Sequence, residues 1–137
     1  MQTFLTCRDF SLTARQLDRQ RLGCQRKEAM QILDILNGNY TAWKNHPAVV
    51  MWKGYENALI EYRNCILREW EIRGYKNILS KYIDSGSVIY PHWFSDERVF
   101  SSHRAALLFK NIEWYSQFNW TESPELNYFW PVLSSSS

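Results

Sequence analysis

Between Pro47 and Gly74, Ala48, Trp52, Tyr55, Leu59, Tyr62 and Ile66 recur at alternating spacings of four and three residues. That period places side chains on one face of an α-helix. Asn45-His46-Pro47 marks the start, a capping residue followed by proline in the first turn, and Arg73-Gly74 marks the end. The sequence therefore predicts a central core helix. The bias is general, because 137 residues contain only 5 Gly and 4 Pro, too few for short strands joined by many tight turns. The expected fold class is all-α, a single-domain helical fold with a long bent N-terminal helix and a long central core helix. With 45% apolar and 16% aromatic side chains the chain has enough core-forming surface for one domain over residues 1–133 and too little length for two. Ser134 to Ser137 is expected to be disordered.

The N-terminal helix is predicted to start at Thr13, with Gln16 as the reciprocal capping partner and Leu12 and Leu17 forming the hydrophobic staple. It runs to Leu36, where Asn37-Gly38-Asn39 supplies a left-handed stop, and Gly23 marks a bend. At 100° per residue Arg15, Arg19 and Arg26 fall within a stripe of about 40°, and Ala29, Ile32, Leu33 and Leu36 form the apolar face of the later half. A short helix is expected over Ile78 to Ile83 and an ordered loop over Val88 to Phe94. A further helix is expected from Ser95 or Ser101 to Lys110, with Ala105, Leu108 and Phe109 packing, then one more turn capped by Asn111. Beyond Asn119 an extended tail carries two prolines and four aromatics.

No aliphatic or aromatic run is longer than the five residues from Ala48 to Trp52, where a membrane span needs roughly 20. The first residues have neither a basic nor an apolar region of a secretory signal, so a cytoplasmic location without membrane contact is expected. Cys7, Cys24 and Cys65 fit no disulfide or C-x-x-C pattern, and no two of His46, His92 and His103 share the i, i+4 spacing of metal ligands.

Net charge is only +2, but residues 1–27 hold six cations against Asp9 and Asp18, and residues 111–137 hold three Glu and no Lys or Arg. The arginine stripe, with Arg8 and Lys27 nearby, suits a phosphate track because guanidinium forks bind phosphate oxygens bidentately. A helix face that meets only water is the plainer alternative. Glu28 follows Arg26-Lys27, which should keep it ionised. An isolated carboxylate among cations repels phosphate, so it suits a reacting sugar carbon; a surface ion pair is the alternative. His46 reads as a helix-start residue. His103-Arg104 and Lys110 beside Trp114-Tyr115 combine cations with flat rings, an arrangement that holds a strand or, more commonly, builds a core.

Leu17-Asp18-Arg19-Gln20, Arg26-Lys27-Glu28-Ala29, Asn45-His46-Pro47, Arg73-Gly74-Tyr75 and Ser102-His103-Arg104 with Lys110 and Trp114-Tyr115 occur in consistent order over residues 1–118. In this order the chain resembles the pyrimidine-dimer DNA glycosylases, the small phage-type enzymes also called endonuclease V, and is closest to a bacterial branch of them. The resemblance implies a helical monomer on double-stranded DNA that kinks the duplex and flips a base, with no metal or other cofactor. It implies base excision in DNA repair with AP-lyase activity: a terminal α-amine attacks deoxyribose C1′ and leaves an imine, and a glutamate assists ring opening and β-elimination. Carried over, Glu28 is the catalytic carboxylate and the Met1 amine the nucleophile, since the bulk of Gln2 prevents methionine removal. An α-amine, with a reference pKa of about 7.7–8.0, is neutral in roughly a tenth to a sixth of molecules near pH 7, far more than a lysine, and so is available as a nucleophile. Arg15, Arg19, Arg26, Lys27, Arg104, Lys110, Trp114 and Tyr115 are the expected DNA contacts. Arg21 stands where the phage enzyme has a histidine, Ser116 replaces a basic residue, and the segment before Glu28 is longer. The alternatives are a non-catalytic DNA-binding module and a helical protein-interaction domain.

Overall fold

The computed structural model describes residues 1–77 and 82–132. They form α1 (Phe10–Gln16), α2 (Arg19–Leu36), α3 (Pro47–Val50), α4 (Glu56–Ile72), α5 (Glu97–Lys110) and α6 (Ile112–Tyr115), with 3-10 turns at His92–Ser95 and Ser116–Phe118. There is no strand among the described residues, so the all-α expectation holds. Helix α4 packs against both α1 and α2 and forms the centre of the core.

The expected bent N-terminal helix is two helices. Asp9, not Thr13, caps α1, its carboxylate accepting from the Leu12 N–H at 3.1 Å. Thr13 is buried, and its hydroxyl accepts from the Thr6 N–H at 3.2 Å. The chain then leaves helical geometry at Leu17 (ψ 137°) and Asp18 (ψ 163°). Distant side chains replace the intrahelical partners that this break removes. One Arg73 guanidinium nitrogen donates to the carbonyls of Ala14, Arg15 and Leu17, at 3.2, 3.1 and 2.7 Å. The Tyr115 hydroxyl accepts from the Asp18 N–H at 3.0 Å and donates to the Asp18 carboxylate. Gly23 lies inside the continuous helix α2. A Cβ there would lie 3.2 Å from the Trp70 ring, so the glycine lets α2 and α4 approach closely.

The central seam is also carried on two helices. His46 caps α3 with its Nδ1, which accepts from the Ala48 N–H at 3.0 Å, and Pro47 occupies the first helical position. The chain turns at Gly54, φ 86°, before α4. Ala48, Trp52, Leu59, Tyr62 and Ile66 are buried despite the interruption, with Tyr55 partly exposed. Gly74, φ 90°, follows α4 as expected.

Asp96 caps α5, with its carboxylate accepting from the Arg98 N–H at 3.1 Å. The buried face of α5 carries Val99, Phe100, His103, Ala106, Leu107 and Leu108; Phe109, expected to pack, is exposed. Asn111 caps α6 as expected. The tail returns along α5, where the Glu125 N–H donates to the Ala105 carbonyl at 3.1 Å and the Phe129 N–H to the Ser102 hydroxyl at 3.0 Å. Most of the expected Ile78 to Ile83 helix lies outside the described residues, as does Ser134 to Ser137; Tyr82 and Ile83 are irregular.

Candidate active site

Chain termini usually fray, because nothing satisfies their backbone groups. Here Gln2 to Thr6 are buried and hydrogen-bonded at each step. Trp52 Nε1 donates to Thr3 Oγ1 at 3.0 Å, the Phe4 N–H to Gln25 Oε1 at 3.2 Å, and the Leu5 N–H to His103 Nδ1 at 3.0 Å. The Tyr62 hydroxyl reaches the Phe4 carbonyl at 2.8 Å, and Arg104 Nη1 donates to the Thr6 carbonyl at 2.7 Å. The segment crosses the molecule and leaves Met1 half-buried against the core.

Gln25, fully buried on α2, orders this end of the molecule. Its Oε1 faces the Phe4 N–H and the Tyr62 hydroxyl, and its Nε2 donates to the Gln2 carbonyl at 2.9 Å and to Glu28 Oε2 at 2.8 Å. Two donors on one side and two acceptors on the other permit a single orientation of the amide. The first residues and Glu28 are thereby held to one side chain.

Burial raises the Glu28 carboxyl above the ordinary carboxylate range. The Met1 ammonium, the Gln25 hydrogen bond and Lys110 pull it back down. Arg26 and Lys27, expected to keep Glu28 ionised, are not among these influences; about 100° of rotation per residue turns Arg26 to the opposite side of the helix. His46 belongs to the same cluster, since burial and then the Met1 charge lower its pKa. Tyr128 joins it from the tail, raised by burial and by the Glu28 charge, with Arg21 opposing. Its ring lies 6.1 Å from Phe4 and 6.0 Å from His103, and Trp130 meets His46 edge-on at 5.8 Å.

The other expected contacts separate into surface and interior. Arg15 is exposed on α1, so the stripe on one helix does not form. Arg19 lies over the Tyr75 ring at 4.9 Å and Arg26 over Trp70 at 4.1 Å. With Lys27 and Trp114 they line an open groove of about 700 Å³. Arg26 and Lys27 also border a second hollow of about 610 Å³ that includes Tyr40 and Trp43. Lys110 is exposed at the end of α5. Two of the expected contacts have side chains engaged within the fold. Tyr115 is fully buried, and its hydroxyl donates to the Asp18 carboxylate. Arg104 is held by Glu122 at 2.9 Å and Glu97 at 2.8 Å as well as by Thr6, so its charge is neutralised within the fold.

Sequence reading missed Gln25, Tyr128 and Trp130. Gln25 left a signal, because it interrupts the apolar stripe of Leu22, Ala29 and Ile32 at helical spacing. The two aromatics carry no local signal, since only the folded tail brings them to the terminus.

The model of the pyrimidine dimer DNA glycosylase family matches residues 1–82, more than half of the chain. The chain belongs to that family. The matched segment contains the buried N-terminus, Gln25, Glu28 and His46, and ends beyond α4. No curated protein and no solved structure matches the chain. As a DNA glycosylase it acts on DNA, and among the described residues no helix is long and apolar enough to cross a membrane.

Proposed function

We propose that this glycosylase excises a damaged base through its Met1 amine and then cleaves the strand. The neutral amine attacks deoxyribose C1′, the glycosidic bond breaks, and the base departs with its electron pair and a proton. Opening of the sugar ring leaves C1′ as an imine on Met1. Glu28, protonated more readily because it is partly buried, gives a proton to the ring oxygen; as a carboxylate it then takes one from C2′, and the 3′ phosphate is expelled by β-elimination. A pyrimidine dimer is the first candidate lesion, on the strength of the family. Arg15, Arg19, Arg26, Lys27, Lys110 and Trp114 are the proposed DNA contacts. Arg19 and Arg26 are stacked on rings, which limits the side-chain entropy lost on binding phosphate.

The observation that carries this reading is the tie from the Gln2 carbonyl through Gln25 to Glu28, at 2.9 and 2.8 Å. An N-terminus ordered beside a partly buried carboxylate gives one sugar carbon both a nucleophile and a proton carrier.

Borohydride trapping on a duplex with an abasic site, followed by mass mapping, tests it. The expected adduct is on Met1, and acetylating or extending the terminus should abolish it while duplex binding persists. An adduct that survives blocking moves the nucleophile to a lysine, Lys27 first. No adduct together with salt-sensitive duplex binding points to a DNA-binding module without this chemistry.

A further inference from the structure

A tyrosine packed into a fold ordinarily places its hydroxyl on a partner there. Tyr62 does so, donating to the Phe4 carbonyl at 2.8 Å, and Tyr115 does so at the Asp18 carboxylate. Tyr128 does not. Its ring packs edge-on against Phe4 at 6.1 Å and His103 at 6.0 Å and lies 5.7 Å from Trp130. Its hydroxyl makes no hydrogen bond among the described residues and reaches solvent. Phenylalanine would fill the same space, so the fold uses the ring and not the oxygen.

The backbone around Tyr128 fixes where that oxygen stands. The Phe129 N–H is bound to Ser102 on α5, and the Phe129 ring lies against the Arg98 guanidinium at 4.2 Å. Its neighbours Tyr128 and Trp130 turn the other way, to Phe4 and to His46, the divergence of successive side chains that extended backbone imposes. Phe4 is tied through its N–H to Gln25, which holds Glu28. Burial and then the Glu28 charge keep the phenol above its ordinary range, with Arg21 opposing. At neutral pH Tyr128 is therefore a hydrogen-bond donor and not a base. Arg21 is turned to its own helix, where Nη1 donates to Asp18 at 3.3 Å.

We propose that the Tyr128 hydroxyl donates a hydrogen bond to O2 of the pyrimidine that leaves C1′, which makes Tyr128 a further catalytic residue. This rests on the reading that the Met1 amine attacks C1′ beside Glu28. As the amine nitrogen bonds to C1′, the electron pair of the C1′–N1 bond passes to the base, and its charge is shared between N1 and O2. O2 is the acceptor that a pyrimidine presents on the minor-groove edge, next to the sugar. Charge developing there beside a carboxylate is unfavourable unless a donor meets it, and a donor already in place needs no reorganisation. The phenol keeps its proton. The base takes the one that the attacking amine gives up.

The test uses the full chain with Tyr128→Phe, which keeps the ring contacts to Phe4 and His103 and removes the oxygen. An unchanged melting temperature shows the variant to be folded. Two duplexes are compared under single turnover with enzyme in excess. On a duplex carrying a thymine dimer, base loss is read as alkali-labile sites, which need no imine to be seen. On a duplex with an abasic site no base has to leave, and amine capture is read by borohydride trapping. Base loss should slow by about 10²-fold, the lower end of the cost of one lost oxyanion-hole donor, while trapping on the abasic duplex keeps its wild-type rate. A wild type that makes alkali-labile sites but no adduct sinks the Met1 nucleophile, and the dimer duplex still decides the donor. Base loss at the wild-type rate in Tyr128→Phe, or equal slowing on both duplexes, overturns the proposal. So does a wild type that makes no alkali-labile sites, since no base then leaves.

Discussion

Gln25 Nε2 donates to Glu28 Oε2 at 2.8 Å from one turn earlier on α2, and the same nitrogen holds the Gln2 carbonyl. The carboxylate and the start of the chain are thus positioned by one buried amide. Replacing Gln25 by Leu keeps the volume and removes every partner it provides. The Phe4 N–H and the Gln2 carbonyl are then left unsatisfied in the interior, at about 1–3 kcal/mol each. Denaturant unfolding should show the destabilised fold, and imine trapping should fall further than duplex binding, because the Met1 end is released while the cationic surface stays. Wild-type trapping in Gln25→Leu would remove the amide from any role in placing Met1.

Glu28→Gln preserves size and the contact to Gln25 and removes the titrating group. Turnover should fall by about 10²–10⁴, the usual contribution of a positioned acid or base, while duplex affinity holds or tightens because a negative charge is gone. Burial raises the Glu28 pKa above its ordinary value of 4.5. A carboxyl raised by folding supports stability below its unfolded pKa and loses that support as pH rises through the folded pKa. At neutral pH the glutamine variant should therefore melt at or above the wild-type temperature, with an activity loss and no stability loss. A drop in melting temperature with activity intact would make Glu28 a structural residue.

Much of this architecture was legible in the periodicity, and its interruptions were not. The seam from Ala48 to Ile66 identified the core face because burial depends on side-chain period, which survives a one-turn break at Gly54. The break at Leu17 and Asp18 was invisible locally because the groups that satisfy it, Tyr115 and Arg73, are remote in sequence. The same reason draws the Tyr115 ring into the interior and the Arg104 guanidinium into ion pairs with Glu97 and Glu122. Position along a chain reports charge and size, while commitment to a partner is a property of the fold. Glu28 stood out as an isolated carboxylate among cations and Met1 by resemblance alone, and both are tied to Gln25, a polar residue whose misfit in an apolar stripe was readable beforehand.

His103 predicts an acid sensitivity. It is fully buried, its Nδ1 accepts from the Leu5 N–H, its Nε2 has no partner among the described residues, and burial depresses its pKa from the ordinary 6.5 to about 3. A depressed histidine lends stability above its unfolded pKa and loses it as pH falls below that value, because the unfolded chain then takes up a proton that the folded one refuses. Between about pH 6 and pH 4 the loss should approach about 1.4 kcal/mol per pH unit. Protonation also removes the acceptor for Leu5 and so loosens the segment that carries Met1. In His103→Asn the amide oxygen can accept from Leu5 without titrating, so the melting temperature should vary less across this range. An unchanged pH dependence in that variant would assign the acid sensitivity to other groups.

The cations fall into two classes that one salt titration separates. Arg19 and Arg26 are stacked on Tyr75 and Trp70 along the groove and have no ion pair among the described residues. Replacing both by Ala should flatten the dependence of log K on log salt by roughly 0.9 for each phosphate that is no longer neutralised. The loss of stacking should cost stability by only about 0.5–1 kcal/mol per ring. Arg104 should behave in the opposite way. It is bound to Glu122, Glu97 and the Thr6 carbonyl. Its removal strands a partly buried Glu122 and frees the N-terminal segment, so Arg104→Ala should lower the melting temperature and leave the salt slope unchanged. An unchanged slope in the double variant, or a flattened one in Arg104→Ala, would place the phosphate track on a different face of the molecule from the groove along α2.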